Sequence, residues 1–177
     1  MTESTLVLEV PDLRDDLIYL RPWQNHDAPA LAEAWQDPQI VASSIVPEKR
    51  SLSAAGDWIA RAETRHQAGQ ALELVVAKLN SSELLGEVSL HSINIERRAA
   101  KMGWWLVAPA RGQGIATRAV KLLSAWALES SLAVIIAEIK DANLNSEQLA
   151  ERCGFKLLRP ATPQNPAVYA LRKSTGC

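Results

Sequence analysis

The sequence predicts a mixed α/β fold whose sheet is not all parallel. Three observations carry this. Strand-like runs stand before and after the helical segments instead of alternating with them throughout. The polar turn Asn80-Ser81-Ser82-Glu83 suits a hairpin between two of those runs. Residues 104–117 read as a strand, a glycine-bearing turn and a helix start. A chain of 177 residues, 47% hydrophobic and 22% charged, is long enough for one domain with a proper core, and no repeat or linker divides it. A single domain over residues 1–177 is expected, with 1–17 as an extended N-terminal arm.

Residues 18–21 read as the first strand. Asp27 starts a helix that runs through Trp35 and ends before Pro38. Ser51 is an N-cap for a second helix reaching Gln67, with Leu52, Ala55, Ile59 and Ala62 on one face. These two helices would form one wall of a cleft. Residues 71–79 and 84–93 are the hairpin strands, and 99–107 supply a further strand before the glycine turn. From Gly114 the pattern becomes helical, and Ile115, Val120, Leu122, Leu123, Trp126 and Ala127 form a broad apolar face. Residues 132–139 are nearly all apolar and β-branched, as expected of a strand covered on both faces. A short helix from Asn145 or Ser146 to Cys153 ends at Gly154 in a left-handed cap position. Two strands close the chain near 155–158 and 167–172.

Composition excludes several functions. Net charge is −1 and the basic residues form no sustained run, so the electrostatic footprint of a nucleic-acid binder is lacking. The opening Met1-Thr2-Glu3-Ser4-Thr5 has no basic, apolar signal pattern, and no apolar run approaches the roughly 20 residues of a membrane span. A cytoplasmic protein with no membrane partner is expected. Cys153 and Cys177, with His26, His66 and His91, make no metal-ligand spacing, and Cys153 reads as a packing residue at a helix end.

The chemistry concentrates at the glycine turn. The first N–H groups of a helix have no intrahelical partner, and the aligned dipoles place roughly half a positive charge there, so an anion can take both. Gly112 and Gly114 allow positive φ, letting several amides converge on a diphosphate. Arg111 would add a forked donor at the rim. The spacing is not that of a Walker loop, and Thr117 stands where a dinucleotide fingerprint needs its third glycine. The pattern R-x-x-G-x-A at Arg111, Gly114 and Ala116 instead resembles the pyrophosphate arm of the GNAT superfamily of N-acetyltransferases, which bind acetyl-coenzyme A.

The resemblance covers roughly residues 18–172. Gly103-Trp104-Trp105-Leu106, Pro109, the run 111–117, Asn143-Leu144-Asn145-Ser146 and Cys153-Gly154-Phe155 are similar to the subgroup that acetylates ribosomal-protein N-termini, as is the opening Leu20-Arg21-Pro22-Trp23 with Asp27. It implies a mostly antiparallel, twisted sheet of six to seven strands, flanked by helices and splayed at its centre. The pantetheine arm would hydrogen-bond there to Leu106 and Val107. The coenzyme set implied is Leu106, Val107, Arg111, Gly112, Gln113, Gly114, Ile115, Ala116, Thr117 and Asn143. The superfamily often forms homodimers; no sequence feature here requires one.

Acetyl transfer to an amine needs a donor where charge develops on the carbonyl oxygen, an acid for the departing thiolate and a neutral amine. The usual acid is a tyrosine where this chain has Ala150. Ser146 matches the serine of the ribosomal-protein subgroup, although Asn145 or Ser146 would equally cap the helix. Glu138 interrupts an apolar run where relatives carry an acid, and it is the first candidate base, with pairing to an Arg as its structural alternative. Glu87 is the second, acting through water. Lys101 stands where the subgroup often has Glu, a departure that bears on substrate charge. A peptide α-amine is roughly 10 to 15% neutral at pH 7 and a lysine under about 0.1%, which favours a protein N-terminus. A small-molecule acceptor, an inactive coenzyme-binding regulator and a dinucleotide-binding domain stay open. Six tryptophans face one phenylalanine, and neighbouring Trp104 and Trp105 must point to opposite sheet faces.

Overall fold

The computed structural model describes residues 9–173, so Cys177 and the first half of the expected arm lie outside the described residues. One eight-stranded sheet runs in the order β1-β2-β3-β4-β5-β6-β8-β7. Its strands are β1 (Leu13–Arg14), β2 (Ile18–Pro22), β3 (Ala71–Lys78), β4 (Leu84–Asn94), β5 (Ala99–Leu106), β6 (Val134–Ile139), β7 (Lys156–Arg159) and β8 (Ala167–Arg172). Every neighbouring pair is antiparallel except β5 with β6. The eighth strand is the two-residue β1, inside what the sequence suggests is only an arm.

The helices are α1 (Ala28–Ala34), α2 (Pro38–Ser43), α3 (Leu52–Gln67), α4 (Ile115–Ser130) and α5 (Leu144–Arg152). On one sheet face α4 and α5 cover Leu74, Val88, Leu90, Met102, Ile135 and Phe155. On the other, α1 and α3 cover Val75, Ala77, Trp23 and Trp105. Ser51 caps α3 as expected, accepting from Ala54 N at 3.2 Å, but Leu52 is exposed and only Ala55, Ile59 and Ala62 of the proposed face are buried. α2 departs from the sequence reading. α1 ends before Pro38 as expected, but Pro38 also starts a further short helix, at a position where its missing N–H costs nothing, with Asp37 capping Gln39 N at 2.8 Å. Among the described residues no helix is long and apolar enough to cross a membrane.

β5 and β6 part company. Their pairing consists of Ala99↔Val134, Ala100↔Ile135 and Lys101↔Ile136, after which β5 continues to Leu106 and β6 to Ile139 without partnering each other. The divergence explains why β6 is not covered on both faces. Ile135, Ala137 and Ile139 are buried, while Val134 and Ile136 are half-buried and Glu138 is exposed. Gly86, opposite Leu106, lies close against β5: a Cβ there would overlap Trp105 O.

A buried fork sets the entrance to α1. Arg21 Nη1 and Nη2 donate to the two oxygens of Asp27 at 2.7 Å each, and Asp27 also accepts from Gln24 N at 2.8 Å. Burial alone would raise the Asp27 pKa, yet the Arg21 guanidinium and the Gln24 amide hold it below the usual carboxylate value. This fork brings Trp23 over the sheet, where it stacks on Trp105 with ring centroids 6.5 Å apart.

Candidate active site at the sheet seam

The glycine turn lies at the mouth of the seam. Gly112 and Gly114 have φ of 73° and 76°, a left-handed backbone that glycine adopts without strain. Among the described residues, no protein group accepts from the N–H of Gly114, Ile115, Ala116 or Thr117; Arg118 N is the first amide of the helix to bond back, to Gly114 O at 3.1 Å. These donors border a cavity of about 810 Å³ with Leu106, Asn143 and Ser146 on its walls. An added Cβ at Gly112 or Gly114 would meet open space, so room for a large anion lies directly above the turn. The Ile115 side chain is buried in the core, leaving its amide as the part available.

Strand edges supply a second set of unmade bonds. Val107 N donates to Leu85 O at 2.9 Å, so its amide is taken. Antiparallel alternation then turns the backbone groups of Trp104 and Leu106 away from β4 and toward the open seam. Leu106 O is occupied, accepting from Arg111 Nε at 3.0 Å and Nη2 at 2.8 Å. Among the described residues, the seam donors left without a backbone partner are thus Trp104 N and Leu106 N. Trp104 is absent from the set implied by the sequence, and Val107 N is not available in the way that set assumes.

Arg111 also differs from expectation. Its Nη1 donates to Gln39 Oε1 at 2.7 Å and its Nη2 also to Asp37 Oδ2 at 2.6 Å, so the fork faces protein, not the rim. The Gln113 amide binds Pro109 O at 2.6 Å. The cap of α5 is Asn143, whose side chain accepts from Ser146 N at 3.3 Å, and not Asn145 or Ser146. The Ser146 hydroxyl carries no capping duty, and Ala150, where a tyrosine is usual, is fully buried.

A second cavity, of about 770 Å³, opens on the opposite sheet face. Trp35, Trp58 and Trp105 line it, and Glu73, Glu87, Ser89, His91, Lys101 and Glu138 line it too. It shares Ser43, Trp104, Trp105, Lys140 and Asp141 with the first, so the two meet at the seam. Trp104 packs toward Phe155 on the α4 side and Trp105 toward Trp23 on the α1 side, on opposite faces as strand alternation requires.

The two candidate carboxylates separate here. Glu138 is 40% exposed and paired with Lys101 Nζ at 2.8 Å, close to its structural alternative with Lys in place of Arg. Glu87 is buried and accepts from Trp23 Nε1 at 3.1 Å. Burial, helped by the neighbouring charge of Glu73, pushes its pKa up to about 8 against the opposing Trp23 hydrogen bond and the Arg65 charge. His91, two rungs along the same strand face, is pushed down by burial and by Lys101. Cys153 is buried at the end of α5 with its thiol pKa raised by burial, as befits a packing residue.

The seam and turn fit a long ligand with a diphosphate at one end and an amide-bearing arm at the other, and the second cavity fits an acceptor that meets the arm through the sheet. This is the layout of an acyl-coenzyme A-dependent transferase. The acetyltransferase (GNAT) domain family matches residues 18–156. An uncharacterized N-acetyltransferase, p20, of Bacillus licheniformis is 26% identical over 145 residues, 81% of this chain and 82% of that protein. The ribosomal-protein-serine acetyltransferase of Escherichia coli K12 is 32% identical over 93 residues, 52% of this chain and 51% of the relative. Mycobacterium smegmatis RimJ in complex with CoA-disulfide superposes with a TM-score of 0.79 at 17% identity, over 92% of this chain and 86% of that one. The chain belongs to the GNAT acetyltransferase family and is an acetyl-CoA-dependent N-acetyltransferase.

Proposed function

We propose that the chain acetylates the α-amine of a protein or peptide N-terminus, with Glu87 as general base and Ser146 as the acid for the thiolate. The observation that carries this is the raised pKa of Glu87 on the floor of the acceptor cavity. A carboxylate titrating near 8 matches an α-amine of reference pKa about 7.7 to 8.0, so the proton moves between groups of similar affinity. A relative points to the same acceptor class: the E. coli protein that is 32% identical over 93 residues is named for acetylation of a ribosomal protein's serine. On the same reading the protein works in the cytoplasm.

The bound coenzyme supplies an acetyl thioester. The amides of 114–117 hold its diphosphate, and Trp104 N and Leu106 N bind its arm along β5. A seam amide also stabilises the charge that develops on the carbonyl oxygen during direct attack in a ternary complex. Glu87 takes the amine proton, directly or through one water. Ser146, whose hydroxyl is not used as a cap, donates to the departing sulfur. Asn143 orients the start of α5 through its cap and faces the coenzyme cavity.

The test is acetyl transfer from labelled acetyl-CoA to serine- and alanine-initiated peptides, against the same peptides with blocked N-termini and an internal lysine. Transfer confined to free α-amines supports the reading. Transfer to lysine, an aminoglycoside or a polyamine in preference to all the peptides overturns it.

A further inference from the structure

α2 is the helix that walls both cavities: Gln39, Ile40 and Ala42 line the coenzyme side and Ser43 lines both. Six residues are too few for a helix to hold itself in water. It is instead tied at each end by a cation rooted on a different arm of the seam. From just beyond β6, Lys140 Nζ donates to Ala42 O at 2.5 Å, near the carbonyl end of the helix where positive charge is favoured. From the start of the glycine turn beyond β5, Arg111 binds Asp37 Oδ2, Gln39 Oε1 and Leu106 O together. Asp37 divides its carboxylate, capping Gln39 N with one oxygen and meeting Arg111 with the other. All three guanidinium nitrogens of Arg111 are directed at protein acceptors.

We infer that Arg111 is a positioning residue, not a phosphate ligand, and that with Asp37 it couples the coenzyme turn to the wall of the acceptor cavity through α2. The guanidinium locks three acceptors on two segments, the end of β5 and the start of α2, at one spacing, which a lysine, a single point donor, cannot do. A change at the first residue of the phosphate turn is therefore felt by the acceptor. The acceptor half of this inference rests on the two-cavity reading above.

The experiment uses Arg111→Met, Arg111→Lys, Asp37→Asn and the double variant Arg111→Met/Asp37→Asn. Three readouts are taken: hydrogen exchange of the 38–43 amides in the free protein, acetyl-CoA affinity by calorimetry, and KM for a serine-initiated peptide. Expected are about tenfold faster exchange in α2 and a several-fold higher peptide KM in each single variant. The double variant is no worse than either single one, Arg111→Lys does not rescue, and the pH profile of kcat is unmoved. Unchanged α2 exchange in Arg111→Met, with only acetyl-CoA affinity reduced, makes Arg111 a phosphate ligand and overturns the inference. So does a lower melting temperature with both affinities intact. Exchange and calorimetry need no acceptor, so a peptide that fails to react sinks the acceptor reading while the α2 amides still decide the coupling.

Discussion

Replacing Glu87 with Gln should weaken catalysis and strengthen the fold at once. The fold raises the Glu87 pKa from the ordinary 4.5 to about 8. Because the folded value lies above the unfolded one, the stability this group contributes is fully present below pH 4.5 and is lost as pH rises to about 8. At about 1.4 kcal/mol per pH unit, keeping a proton on Glu87 at pH 7 costs the native state on the order of 3 kcal/mol. Glutamine is neutral at every pH and keeps an oxygen for Trp23 Nε1. Glu87→Gln should therefore melt roughly 6 to 12 °C higher at pH 7, with the difference growing toward pH 8.5 and shrinking toward pH 4. Activity moves the other way. About one molecule in ten carries the base form at pH 7, so kcat/KM rises with pH through about 8, and loss of the base lowers it by roughly 10² to 10⁴. The amine of a peptide titrates in the same range, so log kcat/KM against pH should approach a slope of 2 below pH 7 in the native enzyme and 1 in Glu87→Gln. The assay is thiol release across pH 6 to 9.5, beside thermal melts on the same samples. Equal slopes in both proteins, or a variant less stable at every pH, would refute the reasoning.

Ser146→Ala should lower kcat by at least about tenfold with the melting temperature unmoved, since Ser146 does not cap α5; Asn143→Ala should cost about 1 kcal/mol in chemical denaturation because it does. Gly114→Ala forces a side chain into φ 76° and should weaken acetyl-CoA binding, read by calorimetry, alongside about 1 to 2 kcal/mol of lost stability. Asp27→Asn leaves Arg21 buried with its partner neutralised, so unfolding free energy should fall by roughly 3 to 5 kcal/mol, while the conservative Glu138→Asp at the exposed pair changes it by less than about 1.

Much of the fold is legible because it obeys short-range rules. Ser51 marks a helix start through its side-chain cap and Gly154 a helix end through its positive φ, and the polar turn from Asn80 to Glu83 separates two paired antiparallel strands. The mixed sheet, the glycine turn and the GNAT family follow from such signals. What misleads is context beyond the element. Pro38 marks the stop after α1 correctly, but that Asp37-Pro38 also caps and opens α2 depends on packing against β5 and the Arg111 link. Glu138 stands out because its neighbours are apolar, yet its side chain lies on the face that the seam opens to solvent. Glu87 sits in a strand with no such contrast and is buried by Trp23, a residue 64 positions away. Arg111 and Val107 belong to the right segment, but which of their groups are free depends on partners in α2 and β4.

Among the described residues, the three rungs of β5 with β6 are also the only ladder joining the β1–β5 raft to the β6–β8 raft. Beyond those rungs the two strand sets are held together by side-chain packing under α4 and not by backbone ladders, so the seam is where the sheet has fewest hydrogen bonds to break on local opening. A cosubstrate lying in the seam would add rungs to that joint, so amides along β5 and β6 should exchange most slowly when the enzyme is loaded and fastest after product has left.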